Sequence, residues 1–417
     1  MNGYFPRLLE TTIAEQSEVT GCIVIEGPKW CGKSTTAKLF AKTVIELQRS
    51  KTLEKYLMLS YSNNDLLLAG EKPLMFDEWQ KIPALWDNIR AEIDVTRGKG
   101  QFILTGSARP VEDKNRHSGT GRFVRIVMRP MSLWESMEST GEVSLGTLFK
   151  GAANISGNSK LSIERTAFLI CRGGWPESIL MSDKNALLAA RNYYRSLIED
   201  DITGVDEIKR NPARAQWILK AYARQVSALA SNRTIQQDVN PIDEKTLSSY
   251  IDAFRKLFVI EDVAAWSPKL RSKTAMRISP KRQFVDPSVA AAALGSSPQD
   301  LLDDINTFGL LFESLCTRDL RIYAEKFGGT VYHYHDEKDL EADIIIHMDN
   351  GDWGAVEIKL GGRQIDEAAK NLLKLKDKVD SEQMREPSFL MVLTGLDYAY
   401  RRTTDGVYVV PIGCLKD

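Results

Sequence analysis

Residues 27 to 35 read Gly27-Pro28-Lys29-Trp30-Cys31-Gly32-Lys33-Ser34-Thr35. Two glycines five apart, followed at once by lysine and serine, form the pattern of a phosphate cradle. Glycine lets backbone N–H groups close on an anion, and a helix starting there adds the positive end of its dipole. Lys33 is expected on the β- and γ-phosphates of ATP, and the Ser34 hydroxyl on Mg²⁺. The whole stretch from Gly27 to Thr35 is the expected nucleotide contact. Its flanks agree. Cys22 to Ile25 is a β-branched apolar run, which predicts a buried strand. Thr35 to Leu47 carries Ala37, Phe40, Ala41, Val44 and Ile45 at helical spacing, which predicts one helix.

Such a cradle needs an acidic strand beside it. Leu74-Met75-Phe76-Asp77-Glu78 supplies three apolar residues to bury and two acids at the exit. Asp77 is expected to hold Mg²⁺ through water, and Glu78 to polarise the attacking water. Gln101 to Gly106 predicts another buried strand, which brings Thr105 or Ser107 beside the γ-phosphate. Arg122, in Gly119-Thr120-Gly121-Arg122, is a candidate guanidinium for the γ-phosphate, in cis or in trans.

Several short motifs follow one another along the chain: the cradle, Phe76-Asp77-Glu78-Trp79-Gln80, Leu104-Thr105-Gly106-Ser107-Ala108, Gly121-Arg122, the run Arg-Pro-Met-Ser-Leu-Trp-Glu at 129–135, and Gly173-Gly174-Trp175-Pro176-Glu177. Their joint order resembles the bacterial and archaeal AAA+-type ATPases that carry a C-terminal domain of unknown function. The resemblance spans nearly the whole chain. It implies that Thr105 stands where the additional-strand class of P-loop ATPases keeps its sensor residue.

A second constellation lies near the C-terminus. Thr307 to Phe327 predicts an amphipathic helix carrying Glu313 and stopping at Gly328-Gly329. Two strands follow, Glu341 to Met348 and Gly354 to Leu360, around the turn Asp349-Asn350-Gly351-Asp352, and then a helix near Asp366 to Val379. Glu357 and Lys359 are two apart on a strand and share a face. Asp343 joins them only if the hairpin loop has an odd length or a bulge. This order resembles the restriction-endonuclease-like PD-(D/E)xK domain. The resemblance implies Mg²⁺ between Asp343 and Glu357, with Glu313 joining them as a metal residue from the helix and Lys359 orienting water at a phosphate. A solvated structural hairpin, or a degenerate nuclease fold used only for binding, would show the same residues.

Stepping these residues into place takes several domains, since 417 residues exceed one ordinary core. The expected class is α/β multidomain. It comprises a P-loop parallel-sheet ATPase domain at 1–135, a helical lid at 136–205, a winged helix at 206–286 and a restriction-endonuclease-like domain at 287–417. Residues 136–160, rich in Ser, Gly, Thr and Asn, predict a loop or partly ordered insertion. In the winged helix, Ala215–Leu229, Ile235–Val239 and Asp243–Phe258 predict helices, and Val259–Trp266 and Gln283–Asp286 predict strands beside a wing. Lys269, Arg271, Lys273, Arg277, Lys281 and Arg282 follow one another there without an intervening acid, a signature for DNA or RNA phosphates. Asp252, Glu261 and Asp262 weigh toward a protein-docking wing instead.

A net charge of −1 gives no global pull toward nucleic acid or membrane. Five scattered cysteines without a C-x-x-C pair predict a reduced, cytoplasmic setting. His333 and His335 read as a strand face rather than a zinc site. Two readings follow. One is an ATPase whose nuclease-like domain acts on nucleic acid. The other is an ATP-dependent switch or scaffold, free to self-associate, in which the nuclease-like domain is inert and docks protein.

Overall fold

Five all-parallel strands build the N-terminal sheet: β1 Cys22–Glu26, β2 Thr43–Glu46, β3 Leu74–Asp77, β4 Phe102–Gly106 and β5 Phe123–Val127, in the order β2-β3-β4-β1-β5. A computed structural model describes residues 3–107, 119–152, 154–206, 208–239, 241–268, 278–379 and 384–417. Strands β1, β3 and β4 are buried along their whole length, which is why their sequences are unbroken apolar runs. β4 lies between β1 and β3, and Asp77 is in register with Thr105. The ends of β1, β3 and β4 thus share one edge, where open parallel sheets bind ligands. The expected helix Thr35–Leu47 is corrected here. The helix is Lys33–Phe40, and Thr43–Glu46 turns into edge strand β2. Thr43, Val44 and Ile45 are β-branched, and pairing with β3 outweighs the helical spacing.

The middle of the chain is one helical body. Helices Ile163–Arg172, Asp183–Ser196, Pro212–Ala223 and Pro287–Leu294 pack on one another. The expected boundaries at 205/206 and 286/287 fall inside it. Helices Pro212–Ala223, Asn232–Asp238 and Glu244–Lys256 follow in sequence, the last capped by the Asp243 side chain accepting from Thr246 N. Among the described residues, the segments after them are joined by the isolated bridges Ile260 to Phe284 and Val263 to Lys281 rather than by the expected strands.

The C-terminal sheet draws on distant parts of the chain. β6 Val143–Ser144 pairs with β14 Leu415–Lys416. Seven further strands, β7 Gly157–Asn158, β8 Gly329–His335, β9 Glu341–Met348, β10 Trp353–Lys359, β11 Phe389–Thr394, β12 Tyr398–Arg401 and β13 Tyr408–Pro411, run in the order β7-β12-β13-β11-β10-β9-β8. Residues 136–160 are therefore no mere insertion: they give two short strands to the C-terminal unit. Two-residue strands are too short to show alternation, so composition alone reads them as loop. Ile344, Ile346, Val356 and Ile358 join the core that includes helix Ile305–Glu325. Ile345, Ala355 and Val392 face helix Ile365–Lys378.

Candidate functional site

The phosphate cradle sits at the exit of β1. Gly27 has φ +150, and a Cβ there would meet the Met128 carbonyl oxygen at 2.1 Å. Gly32, at φ +99, turns the chain into helix Lys33–Phe40. The buried Lys33 ammonium donates to the Pro28 carbonyl at 2.6 Å, inside the loop that it is expected to leave for phosphate. From below, Arg7 donates to the Cys31 carbonyl at 2.8 Å and to the Arg129 carbonyl at 2.7 Å, with Glu135 on its Nε at 3.0 Å. Nothing in the sequence motif flags this prop, because its residues are 24 to 128 positions apart from Arg7.

Asp77 gathers the polar groups of the edge. Its carboxylate accepts from Ser34 Oγ at 2.6 Å, Thr105 Oγ1 at 2.5 Å and Gln48 Nε2 at 3.1 Å. The oxygens of Asp77, Ser34 and Thr105 are hard donors and fit Mg²⁺. Glu78 follows in the left-handed region at φ 60, and its carboxylate accepts from Ser107 Oγ at 3.0 Å and from Gln80 Nε2. Thr105 and Ser107 therefore divide the edge, one on each acid. Gln48 is a contact that sequence reasoning missed.

At the tip of the loop, Lys29 pairs with Asp201 at 2.6 Å, and the Trp30 ring lies parallel to Tyr193 with centroids 6.4 Å apart. Tyr193 in turn packs on Trp175 at 4.2 Å. Pro176 lies against Gly32 and begins a helical turn, Pro176–Ile179. Cys31 is buried with its thiol on the Met128 carbonyl at 3.3 Å, and Thr35 is exposed on the first turn. The cis role of Arg122 is corrected. Arg122 precedes β5, and its carbonyl accepts from Cys22 N at the start of β1. It sits at the opposite end of the sheet from the cradle, about 16 Å away for five strand residues. Its guanidinium pairs with Asp94 at 2.7 Å.

The C-terminal residues also converge, around an unexpected partner. One extra residue in β9, between the positions facing Tyr332 and Tyr334, bulges the strand near Asp343. The Asp343 carboxylate accepts from Ile358 N at 2.8 Å, Lys359 Nζ at 3.4 Å and Lys281 Nζ at 3.0 Å. Lys281 also bonds Glu313 at 2.7 Å, and Lys359 bonds Glu357 at 2.7 Å. Burial alone would raise the Asp343 carboxyl, but both ammoniums and the Ile358 N–H outweigh it and hold it well below the usual range. Burial, with Asp343 adding to it, pushes Glu313 up to about 7, against the pull of Lys281. Glu357 is raised by burial and by Asp343. Among the described residues no trio of His, Cys, Asp or Glu is gathered to hold a metal ion. The expected Mg²⁺ between Asp343 and Glu357 does not fit this arrangement, because an ammonium stands between the acids.

The basic stretch is corrected in part. Lys281 and Arg282 are buried, Arg282 on Asp262, Asn232 and the Ala230 carbonyl, so neither faces a phosphate. Lys269, Arg271, Lys273 and Arg277 lie outside the described residues. His333 is buried, and its imidazole is pushed down to about 4 by burial and then by Lys281 and His335.

Residues 20–137 match the family model of the AAA domain. The N-terminal unit is an AAA-type P-loop ATPase domain. Beyond this ATPase domain, residues 163–300 match one domain of unknown function, DUF8612, and residues 308–415 another, DUF4143. Among curated proteins none matches. Among solved structures, the Walker-type ATPase PABY2304 of Pyrococcus abyssi is 16% identical with a TM-score of 0.44, covering 70% of this chain and 96% of that one. A signal-transduction ATPase with numerous domains and a tetratricopeptide-repeat sensor, from Pyrococcus horikoshii, is 14% identical with a TM-score of 0.27, covering 77% of this chain and 48% of that one. The replication initiator DnaA, bound to AMPPCP and single-stranded DNA, is 13% identical with a TM-score of 0.25, covering 60% of this chain and 86% of that one. No helix among the described residues is long and apolar enough to cross a membrane.

Proposed function

We propose that the chain binds Mg-ATP and hydrolyses it as an ATP-dependent switch, with the C-terminal unit as a non-cutting, nuclease-like docking domain. The observation that carries the ATPase half is the shared edge, where Ser34 and Thr105 both donate to Asp77 while Ser107 donates to Glu78. Lys33 leaves the Pro28 carbonyl to bind the β- and γ-phosphates. Ser34 and Asp77 hold Mg²⁺, which neutralises phosphate charge when bound. Glu78 orients the attacking water and takes up its proton, and Ser107 fixes that carboxylate.

The switch half rests on the loop tip. Lys29 and Trp30 touch Asp201 and Tyr193 of the helical body, so a nucleotide that reshapes the loop changes contacts outside the ATPase domain. The reading against cutting rests on Lys281 and Lys359, which between them pair all three acids of the C-terminal pocket. An ATP-controlled action on DNA or RNA draws on Lys269, Arg271, Lys273 and Arg277. The test is turnover and cleavage on one preparation. Phosphate release should be lost in Lys33→Ala. Single- and double-stranded DNA and RNA should stay intact with Mg²⁺ or Mn²⁺, with or without ATP. Cleavage that Lys359→Ala abolishes would overturn the docking reading and leave the ATPase reading standing.

A further inference from the structure

One stretch of the chain departs from its net charge of −1. From Ile208 to Gln237 there is no Asp or Glu, while Lys209, Arg210, Arg214, Lys220, Arg224 and Arg233 fall within it. Helix Pro212–Ala223 forms its centre and buries Ile218, Leu219 and Tyr222, so packing turns the remaining face outward. That face carries Arg214, Trp217, Lys220 and, just past the helix end, Arg224, all exposed. Spacings of three and four residues put them in one row along the helix. Trp217 is 64% exposed, although tryptophan is a highly buried residue on average. Beside its ring is a groove of about 320 Å³, lined by the buried Ala221 and Val239 and by Lys220, Arg224 and Asp238. Among the described residues Arg214 and Lys220 have no acidic partner, and Arg224 has Asp238 alone, at 3.5 Å.

We infer that this face of helix Pro212–Ala223 binds single-stranded nucleic acid. Trp217 stacks on one base, whose edge enters the groove beside Ala221, and Arg214, Lys220 and Arg224 pair with the phosphates on either side. The cations call for an anion, and the ring decides which. An acidic peptide satisfies the cations but leaves Trp217 without an aromatic face to stack on. A duplex satisfies the cations but keeps its base faces stacked inside, whereas a single strand offers both phosphate and base face. From Arg214 to Arg224 is about 15 Å along the helix, the length of about four nucleotides at about 3.4 Å each. The third helix, Glu244–Lys256, is where a helix-turn-helix would read a duplex, and it carries Glu244 and Asp252. The row of cations therefore stands on the wrong helix for major-groove reading.

Fluorescence anisotropy with labelled oligo-deoxythymidine and oligo-uridine, on the nucleotide-free full chain, tests this. Either oligomer binding as follows supports the inference. Trp217→Ala should weaken binding by about 5- to 100-fold, and Trp217→Phe should restore most of it. The parent's affinity should fall with salt at a log–log slope of about −2, from about −0.7 for each of three phosphates. Lys220→Ala/Arg224→Ala should bring that slope to about −0.7. Asp238→Asn removes the one acid of the groove and should tighten binding. The substituted side chains lie at the surface, melting curves check that each variant is folded, and Trp217→Gln replaces any Trp217→Ala chain that is not. Four results would overturn the inference. The first is no binding of either oligomer at low salt. The second is binding that the folded Trp217 variant leaves unchanged. The third is a duplex that binds as tightly as the single strand. The fourth is polyglutamate of equal charge displacing the label as well as unlabelled oligomer does, which would assign the face to an acidic protein segment. None of these measurements depends on ATP turnover.

Discussion

Each acid at the ATPase edge has its own hydroxyl, and this division assigns different phenotypes to neighbouring residues. Glu78→Gln keeps the loop, Lys33 and Asp77, so it should bind Mg-ATP with near-normal affinity and lose turnover by about 100-fold or more. A nucleotide-binding titration beside a phosphate-release assay separates the two effects. Ser107→Ala leaves the Glu78 carboxylate with Gln80 Nε2 and without its hydroxyl. Its kcat should fall by about 10- to 100-fold with KM nearly unchanged, since only positioning is lost. In the C-terminal pocket, Glu313 faces Lys281, Asp343 and Lys359, and its folded pKa of about 7 exceeds the ordinary 4.5. A raised carboxyl binds its proton more tightly in the folded chain. Its stabilisation is full below about pH 4.5 and is lost as pH rises through 7. Glu313→Gln removes that titration. The wild-type unfolding free energy, measured in urea, should therefore fall between pH 5 and 7.5 by more than that of the variant, by up to about 1 kcal/mol per pH unit. Parallel pH profiles for the two chains would sink the assignment.

At the scale of elements, the sequence was most legible where one strand carries both the burial pattern and the polar exit. β1, β3 and β4 are such strands, and the order of glycine, lysine and acid along them is local. Edge strand β2 was hidden because Val44 and Ile45 also suit a helix. Strands β6 and β7 were hidden because partners more than 200 residues away decide them. In the C-terminal pocket, Asp343, Glu357 and Lys359 were readable from strand spacing. Lys281 was not, because its link to Glu313 crosses from the helical body to another unit and a run of basic residues reads first as a surface. The cradle itself yields an element-level prediction. Gly27→Ala would place a Cβ 2.1 Å from the Met128 carbonyl at a φ of +150. The loop must then shift off the edge, and ATP binding should be lost while the melting temperature changes little. Retained ATP affinity would show that the cradle does not need this backbone form.

Over the whole molecule, the ATPase domain, the helical body and the C-terminal helix meet at one buried ionic junction. The family-like motifs serve this junction rather than the nucleotide alone. Gly174 N donates to Asp286 at 3.0 Å, and the Gly174 carbonyl accepts from Met131 N at 2.6 Å. Arg318 binds Asp286 at 2.8 Å and Asp319 at 2.7 Å, and Asp319 accepts from Leu133 N at 2.9 Å. Asp286 and Asp319 have no solvent exposure, and Arg318 has 2%. Buried charges of this kind are tolerated only while each has its partner. Arg318→Met fills similar volume but leaves two buried carboxylates with no cation between them. It should lower global stability by roughly 3–5 kcal/mol. Since one apolar core runs from Ile13 to Leu415 through this point, the loss should appear in all units at once, as one shifted unfolding transition in urea. Adding Asp319→Asn removes one of the stranded charges and should recover part of the loss. Should Arg318→Met instead split the unfolding into two transitions, with the ATPase domain unaffected, the junction would be a local clamp, and the loop-tip contacts of Lys29 and Trp30 would be left as the route from nucleotide to C-terminal unit.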